Sequence, residues 1–255
     1  MLKEKIAYFR FFAELNDFFP EEKDGIVHQH KFKGIQSVKD RIESMGVPHT
    51  EIYLITSNNE PVDFSYHVQN GYFINVYPVF KNIKICSDIS LREPYSGEYR
   101  FVLDTHLGKL ARYLRMLGFD SLYDNKYKDK ELANISKNTD RILLTRDIGL
   151  LKRSKVKYAY FIRYDDPRNQ LKSLINRYSL SDHIKSFGRC VECNGELHSV
   201  NKNEIIHLLE PKTKKYYNEF YRCSKCRKIY WPGSHYQNMK NFINELINNN
   251  SKSGR

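Results

Sequence analysis

Residues 101–120 read FVLDTHLGKLARYLRMLGFD, and this stretch sets the fold class. Phe101-Val102-Leu103 is a short apolar run, the length of a buried strand, and it stops at Asp104. Beyond it the period changes. Leu107, Leu110, Ala111, Leu114 and Leu117 fall at helical spacing, and Gly118 ends the helix. Working outward, Ser121-Leu122-Tyr123 reads as a second strand, and Asp129 caps a helix holding Leu132, Ala133 and Ile135. Residues 141–145 form a third strand that ends in Arg146-Asp147. Residues 158–162 form a fourth, followed by Asp165-Asp166-Pro167 and a helix from about 168 to 178. Strands alternating with helices predict an α/β domain, a parallel sheet with flanking helices.

Asp104 and Asp147 each follow an apolar strand directly. In parallel sheets ligands bind outside the carboxyl ends of the strands. Carboxylates converging there repel unless a hard cation neutralises them, and Mg²⁺ or Mn²⁺ is the oxygen-preferring choice. Asp129 is a candidate third ligand. Such an ion activates water and stabilises the leaving oxygen of a phosphodiester. Lys109, Arg112, Arg115, Arg146 and Arg163 are placed to hold flanking phosphates. A plainer reading stands beside this one. Asp129 then only caps a helix, Asp104 and Asp147 bond backbone amides at loop starts, and the cations form a solvated face. His106 is assigned no catalytic role.

The stretch 101–120, the run Ile142-Leu143-Leu144-Thr145-Arg146-Asp147 and the segment Asp129-Lys130-Glu131-Leu132 resemble the Mut-seven C-terminal RNase family, which is PIN-like. The resemblance implies a Mg²⁺- or Mn²⁺-dependent ribonuclease site at Asp104, Asp129 and Asp147. One departure is visible. Many PIN-type nucleases carry a fourth carboxylate shortly after the third, whereas Asp147 is followed by Ile148-Gly149-Leu150-Leu151. Either Asp165 or Asp166 supplies it, or the site holds one metal.

Cys190-Val191-Glu192-Cys193 and Cys223-Ser224-Lys225-Cys226, separated by 29 residues, have the spacing of two knuckles sharing one tetrahedral zinc. Four thiolates leave no position open for water, so the site is structural. Gly195 suits the turn after the first knuckle, and residues 227–231 read as a strand after the second. Arg189, Arg222, Arg227, Lys228, Tyr230 and Trp231 put cations and aromatics beside the knuckles, a mix that stacks bases and contacts phosphates, or else packs the ribbon. Residues 230–236 also resemble the family, whose ribbon follows the RNase domain. A final amphipathic helix carries Met239, Phe242, Ile243, Leu246 and Ile247 on one face, and Cys86 is left over.

The N-terminal segment reads strand (5–12), strand (26–32), a short helix capped by Ser37 with Val38, Ile42 and Met45 inward and Gly46 as its stop, strand (53–55), an Asn58-Asn59 turn and strand (72–79). That ββαββ order predicts an α+β β-grasp fold. Residues 47–52, 62–66 and 76–80 resemble the ubiquitin-like domain that precedes this RNase domain in many bacterial members. Small sulfur carriers share the fold but need a free C-terminal Gly-Gly. Here the segment ends Tyr77-Pro78-Val79-Phe80 and the chain continues, leaving an interaction or RNA-positioning role.

Of the 255 residues 40% are hydrophobic and 14% aromatic, which excludes wholesale disorder. No apolar run is long enough to span a membrane, and the N-terminus lacks a signal-peptide pattern, so the expected location is the cytoplasm. The net charge of +12 is unevenly spread: −2 over residues 1–95, +8 over 96–186 and +6 over 187–255. A one-sided basic field suits RNA. The expected organisation is a β-grasp domain (1–85), a linker (86–98), a PIN-like nuclease domain (99–186) and a zinc ribbon with a C-terminal helix (187–248). The expected function is metal-dependent hydrolysis of RNA, with a possible protein partner at the β-grasp domain. The rival is a non-catalytic RNA- or ribosome-binding adaptor, and a weaker third reading is a DNA nuclease.

Overall fold

Alternation in the first strand organises the N-terminal sheet. In β1 (Glu4–Phe11) the side chains of Ala7, Phe9 and Phe11 are fully buried, while the residues between them face outward. The computed structural model describes residues 3–19, 25–79, 90–91, 95–234, 236–238, 240–242 and 244–245. Among these, β1 pairs antiparallel with β2 (Val27–Lys33) and parallel with β5 (Phe73–Tyr77). The sheet is completed by β3 (Leu54–Ser57) and β4 (Glu60–Val62), in the order β2-β1-β5-β3-β4. The strand β4 was not expected from the sequence. Its hairpin with β3 turns on Asn58 and Asn59, with φ of +48° and +72°, the left-handed pair of a two-residue turn. Helix α1 (Val38–Ser44) starts where Ser37 Oγ accepts the Asp40 amide at 3.1 Å. Val38 and Ile42 are buried in the core, and the chain leaves α1 through Gly46 at φ +107°.

The C-terminal half is a parallel sheet with flanking helices. Strand β6 (Arg100–Leu103) leads through a single 3-10 turn into α2 (Gly108–Met116), and β7 (Asp120–Leu122) runs parallel to β6. Helix α3 (Asp129–Thr139) precedes β8 (Ile142–Thr145). A four-residue helix α4 (Ile148–Leu151), unread in the sequence, leads toward β9 (Ala159–Phe161), which runs parallel to β8. Helix α5 (Pro167–Tyr178) has Asp166 as its cap, accepting the amides of Arg168 and Asn169, each at 3.0 Å. The ribbon sheet follows, β10 (Leu197–Ser199), β11 (Tyr221–Cys223) and β12 (Ile229–Tyr230), antiparallel in that order. Between β10 and β11 lie two short helices, α6 (Lys202–Ile205) and α7 (Pro211–Tyr216). Of the final amphipathic stripe, Met239, Ile243, Leu246 and Ile247 lie outside the described residues, as do Cys86 and the terminal 248–255. Phe242 is described, with the Arg168 guanidinium 5.2 Å from its ring.

The chain divides into two compact units. The first joins Met1–Glu98 to Lys128–Ile162; the second joins Tyr99–Tyr127 to Arg163–Arg255. Within the first, the segment His49-Thr50-Glu51 is buried. Glu51 Oε1 accepts the Phe161 amide at 2.7 Å, on the side of β9 away from β8. Thr50 Oγ1 donates to the Leu151 carbonyl, Lys152 Nζ donates to the Glu43 carbonyl, and Phe18 packs on Phe161 with ring centroids 5.1 Å apart. An open edge of β9 is thereby covered, which removes a template for pairing with another chain.

Candidate functional site

Each strand-end aspartate is fixed by the turn that follows it. Asp104 Oδ1 accepts the Thr105 amide at 2.6 Å and the Thr105 hydroxyl at 3.3 Å, and Tyr123 OH bonds the Thr105 carbonyl at 2.8 Å. Tyr123 also explains Gly108: a Cβ there would meet the Tyr123 hydroxyl at 2.8 Å. Asp147 caps α4, its Oδ1 accepting the amides of Gly149 at 2.7 Å and Leu150 at 3.2 Å, and its own amide donates to Thr145 Oγ1 at 2.9 Å. So both aspartates bond backbone amides at loop starts, and in each the amides hold Oδ1. Asp129 does not cap α3. Lys128 occupies the cap position without a side-chain bond, and the Asp129 carboxylate in the first turn pairs with Arg153 at 3.2 Å. Asp104 lies in the second compact unit, Asp129 and Asp147 in the first.

The cations separate into classes. Lys109 and Arg146 are exposed. Arg112 is exposed and ion-paired with Glu192 at 2.9 Å. Arg115 is taken out of contention as a phosphate ligand. It is only 5% exposed, its Nε donates to the Ser121 carbonyl at 2.9 Å, and its Nη1 donates to the carbonyls of Val191 and Glu192 at 3.1 and 2.9 Å. Burial lowers its pKa, opposed by the neighbouring Cys190 and Cys193. It ties α2 and β7 to the first knuckle.

The two knuckles repeat one bonding pattern. The Cys190 amide donates to the Gly195 carbonyl at 2.7 Å, and the Asn194 amide donates back to Cys190 at 2.9 Å. Likewise the Cys223 amide donates to Lys228 at 2.9 Å, and the Arg227 amide donates back to Cys223 at 3.1 Å. Asn194 and Arg227, each one residue past a knuckle's second cysteine, sit at φ +62° and +64°. The two hairpins bring all four Sγ atoms within 4.8 Å of one another, with Cys190–Cys226 and Cys193–Cys223 at 3.5 Å. Thiolates around a tetrahedral zinc sit about 3.8 Å apart, so the cluster fits such an ion, and the separations are far beyond a disulfide bond. Burial opposes ionisation of Cys223, but the amides of Cys226 and Lys225, at 3.4 Å, outweigh it and hold its pKa down to about 7.

Two sequence comparisons bear on this arrangement. Residues 4–84 match the Mut7-C ubiquitin domain, and residues 99–243, more than half of the chain, match the Mut7-C RNAse domain. The chain belongs to the Mut7-C RNAse domain family. Among curated proteins none matches it. No helix of the described residues is long and apolar enough to cross a membrane.

For a Mut7-C chain, the tertiary roles of several supporting residues carried no signal in the sequence. Asn194 accepts the Ser121 amide at 2.9 Å through Oδ1 and donates to Asp120 Oδ1 at 2.6 Å, so the knuckle's left-handed residue also satisfies the open edge of β7. Gly195 is needed for space: a Cβ would meet Cys223 Sγ and Lys225 Cβ, both at 2.9 Å. Tyr230 OH approaches Cys190 Sγ at 3.0 Å, and burial together with that contact pushes its pKa up. At the first knuckle a signal did exist in the sequence: Cys193 is followed by Asn194, which adopts the left-handed backbone readily, whereas Arg227 after the second knuckle gives no such signal.

Proposed function

We propose that this chain is a metal-dependent ribonuclease that hydrolyses RNA phosphodiester bonds. The observation that carries the reading is the pair Asp104 and Asp147, each at the carboxyl end of a parallel strand with one carboxylate oxygen held by backbone amides. A carboxylate oriented before the ligand arrives spends no binding energy on ordering its side chain. Asp104, Asp129 and Asp147 would hold the ion, all offering the hard oxygen donors that Mg²⁺ and Mn²⁺ prefer. When bound, the ion supplies an activated water and neutralises charge on the leaving oxygen. Asp129, whose carboxylate is paired with Arg153, would have to release that partner to join the set. Lys109, Arg112 and Arg146 position phosphates, and either Asp165 or Asp166 would supply a fourth acid, Asp166 holding its cap through Oδ1 alone as Asp147 does.

The four cysteines hold a structural Zn²⁺ in a cytoplasmic protein whose thiols stay reduced. We assign residues 1–85 to the ubiquitin-like domain, which offers a surface to a protein partner, 86–98 to a linker, 99–186 to the nuclease and 187–248 to the ribbon.

One observation favours the adaptor reading instead. The turn after Asp147 runs into α4, whose Leu150 and Leu151 are fully buried, so that helix supplies no acid. A cleavage assay separates the two. Zinc-loaded protein with labelled structured and unstructured RNA should cut only with Mn²⁺ or Mg²⁺, and Asp104→Asn or Asp147→Asn should abolish cutting while the zinc content stays unchanged. Both variants cutting as fast as wild type would overturn the site, and tight binding without any cutting would favour the adaptor.

A further inference from the structure

Within the second compact unit, a cavity of about 200 Å³ lies beside the first knuckle, with Met116, Val191 and Leu197 among its apolar lining. It is smaller than the roughly 300–1,000 Å³ of a site for a drug-sized ligand, a scale that suits one flat ring system. Tyr230 and Trp231 also line it. Both rings are held in place. Tyr230 is anchored at Cys190 Sγ, and Trp231 sits on the small ribbon core, with Gly233 so close that a Cβ would meet the indole Nε1 at 3.0 Å. Phe187 also lines the cavity, but its ring is already stacked on Tyr221 at 4.5 Å and Tyr236 at 4.4 Å. At the rim two cations converge on one oxygen: Glu192 Oε1 accepts from Arg112 Nη2 at 2.9 Å and from Lys228 Nζ at 3.2 Å. The side chains of Arg112 and Lys228 are more than half exposed, so this is a solvent-facing anion seat currently filled by the protein's own carboxylate.

We propose that this cavity takes one nucleobase of single-stranded RNA against the rings of Tyr230 and Trp231, with the adjoining phosphate displacing Glu192 from Arg112 and Lys228. The proposal rests on RNA being the substrate, and it assigns the ribbon the task of gripping one nucleotide, with Arg112 as the phosphate contact that the two readings share. Rigid aromatic rings lose little freedom on stacking, and stacking tolerates any base because every base has a π-face. The two cations add a salt-dependent phosphate contact. The internal carboxylate makes a specific signature. Removing it should tighten binding, whereas removing a cation should weaken it.

Trp231 is the only tryptophan in the chain, so its fluorescence reports on this cavity directly. Full-length zinc-loaded protein, without divalent metal, is titrated with AMP, oligoadenylate RNA, the matching DNA, and polyphosphate as a polyanion without bases. Saturable quenching by AMP and oligoadenylate but not by polyphosphate is expected. Lys228→Gln and Arg112→Gln should each weaken oligoadenylate binding and lower the slope of log K against log salt by about 0.7. Glu192→Gln should tighten it about threefold or more, and all three substitutions are at exposed side chains that leave the thiolates in place. Equal quenching by polyphosphate would reduce the cavity to an anion site and overturn the base assignment. Weaker binding in Glu192→Gln would overturn the phosphate seat. RNA binding that leaves Trp231 unchanged would overturn the proposal outright, as would occupation by a protein partner that RNA cannot displace. Quenching without Asp104-dependent cleavage would sink the nuclease reading and leave the cavity standing; cleavage without quenching would do the reverse.

Discussion

The ubiquitin-like sheet and the ribbon solve the same problem by opposite means. The first buries a continuous apolar cluster running from Ala7 to Val76, with Phe9, Phe11, Leu15, Ile42, Ile55 and Ile74 fully buried. The ribbon cluster of buried residues is Ile205, Leu209 and Phe220, with Val200, Tyr217, Ile229 and Trp231 packed partly exposed around it. Among the described residues so small a core offsets little of the conformational entropy of ordering the segment. We expect a metal held by the four-cysteine cluster to make up the difference in the ribbon. The expected contrast is between a region that folds on its own apolar core and one that folds on a bound ion.

The sharpest way to break this contrast is to remove the metal. Chelation of zinc, or Cys193→Ser, should unfold the ribbon, since structural zinc supplies on the order of 10 kcal/mol in small domains. The Trp231 emission should shift to that of solvent-exposed indole while the unfolding transition of the ubiquitin-like sheet stays in place. An unchanged Trp231 signal would show that the ribbon core is sufficient. The reciprocal change is Phe9→Ala, which should cost the N-terminal sheet about 3–5 kcal/mol in urea unfolding and leave zinc content untouched.

Gly195→Ala sharpens the comparison further. Its Cβ would press on Cys223 Sγ and Lys225, so zinc affinity should fall about ten- to hundredfold in competition with a chromophoric chelator. The smallest effect is electrostatic. Burial works against the Glu43 carboxylate, but the His49 ring, 2.6 Å away, holds its pKa below the usual range. A depressed carboxylate contributes stability above its unfolded pKa, about 4.3, and loses it as pH falls through the lower folded value. Wild type should therefore lose up to about 1 kcal/mol more than Glu43→Gln on acidification through that window, read from urea midpoints.

Much of the candidate site was legible because its residues are local. Asp104 and Asp147 stand out as single acids at the ends of apolar runs, and Ser37 lies where a helix cap belongs. Two readings changed on the same physical ground. Asp129 looked like a cap because it precedes an apolar-periodic run, but the helix starts at Asp129 itself, and its carboxylate is taken by Arg153 from beyond the next strand. Arg115 looked like one more basic residue on an amphipathic helix, yet its guanidinium serves three carbonyls, two of them in a knuckle more than 70 residues away. Helix period shows on which face a side chain lies, not what waits opposite it.

Local sequence determined the family, the alternation of strands and helices, the strand-end acids and the pairing of two CxxC knuckles, because hydrophobic period, capping chemistry and thiolate spacing act over a few residues. Tertiary structure alone decided the burial of Arg115, the doubling of Asn194 as knuckle residue and partner of the β7 edge, the cover that Glu51 lays over β9, and the cavity where Arg112 and Lys228 meet Glu192. These depend on segments distant in the chain being brought within about 3 Å, and short-range propensities do not encode that distance.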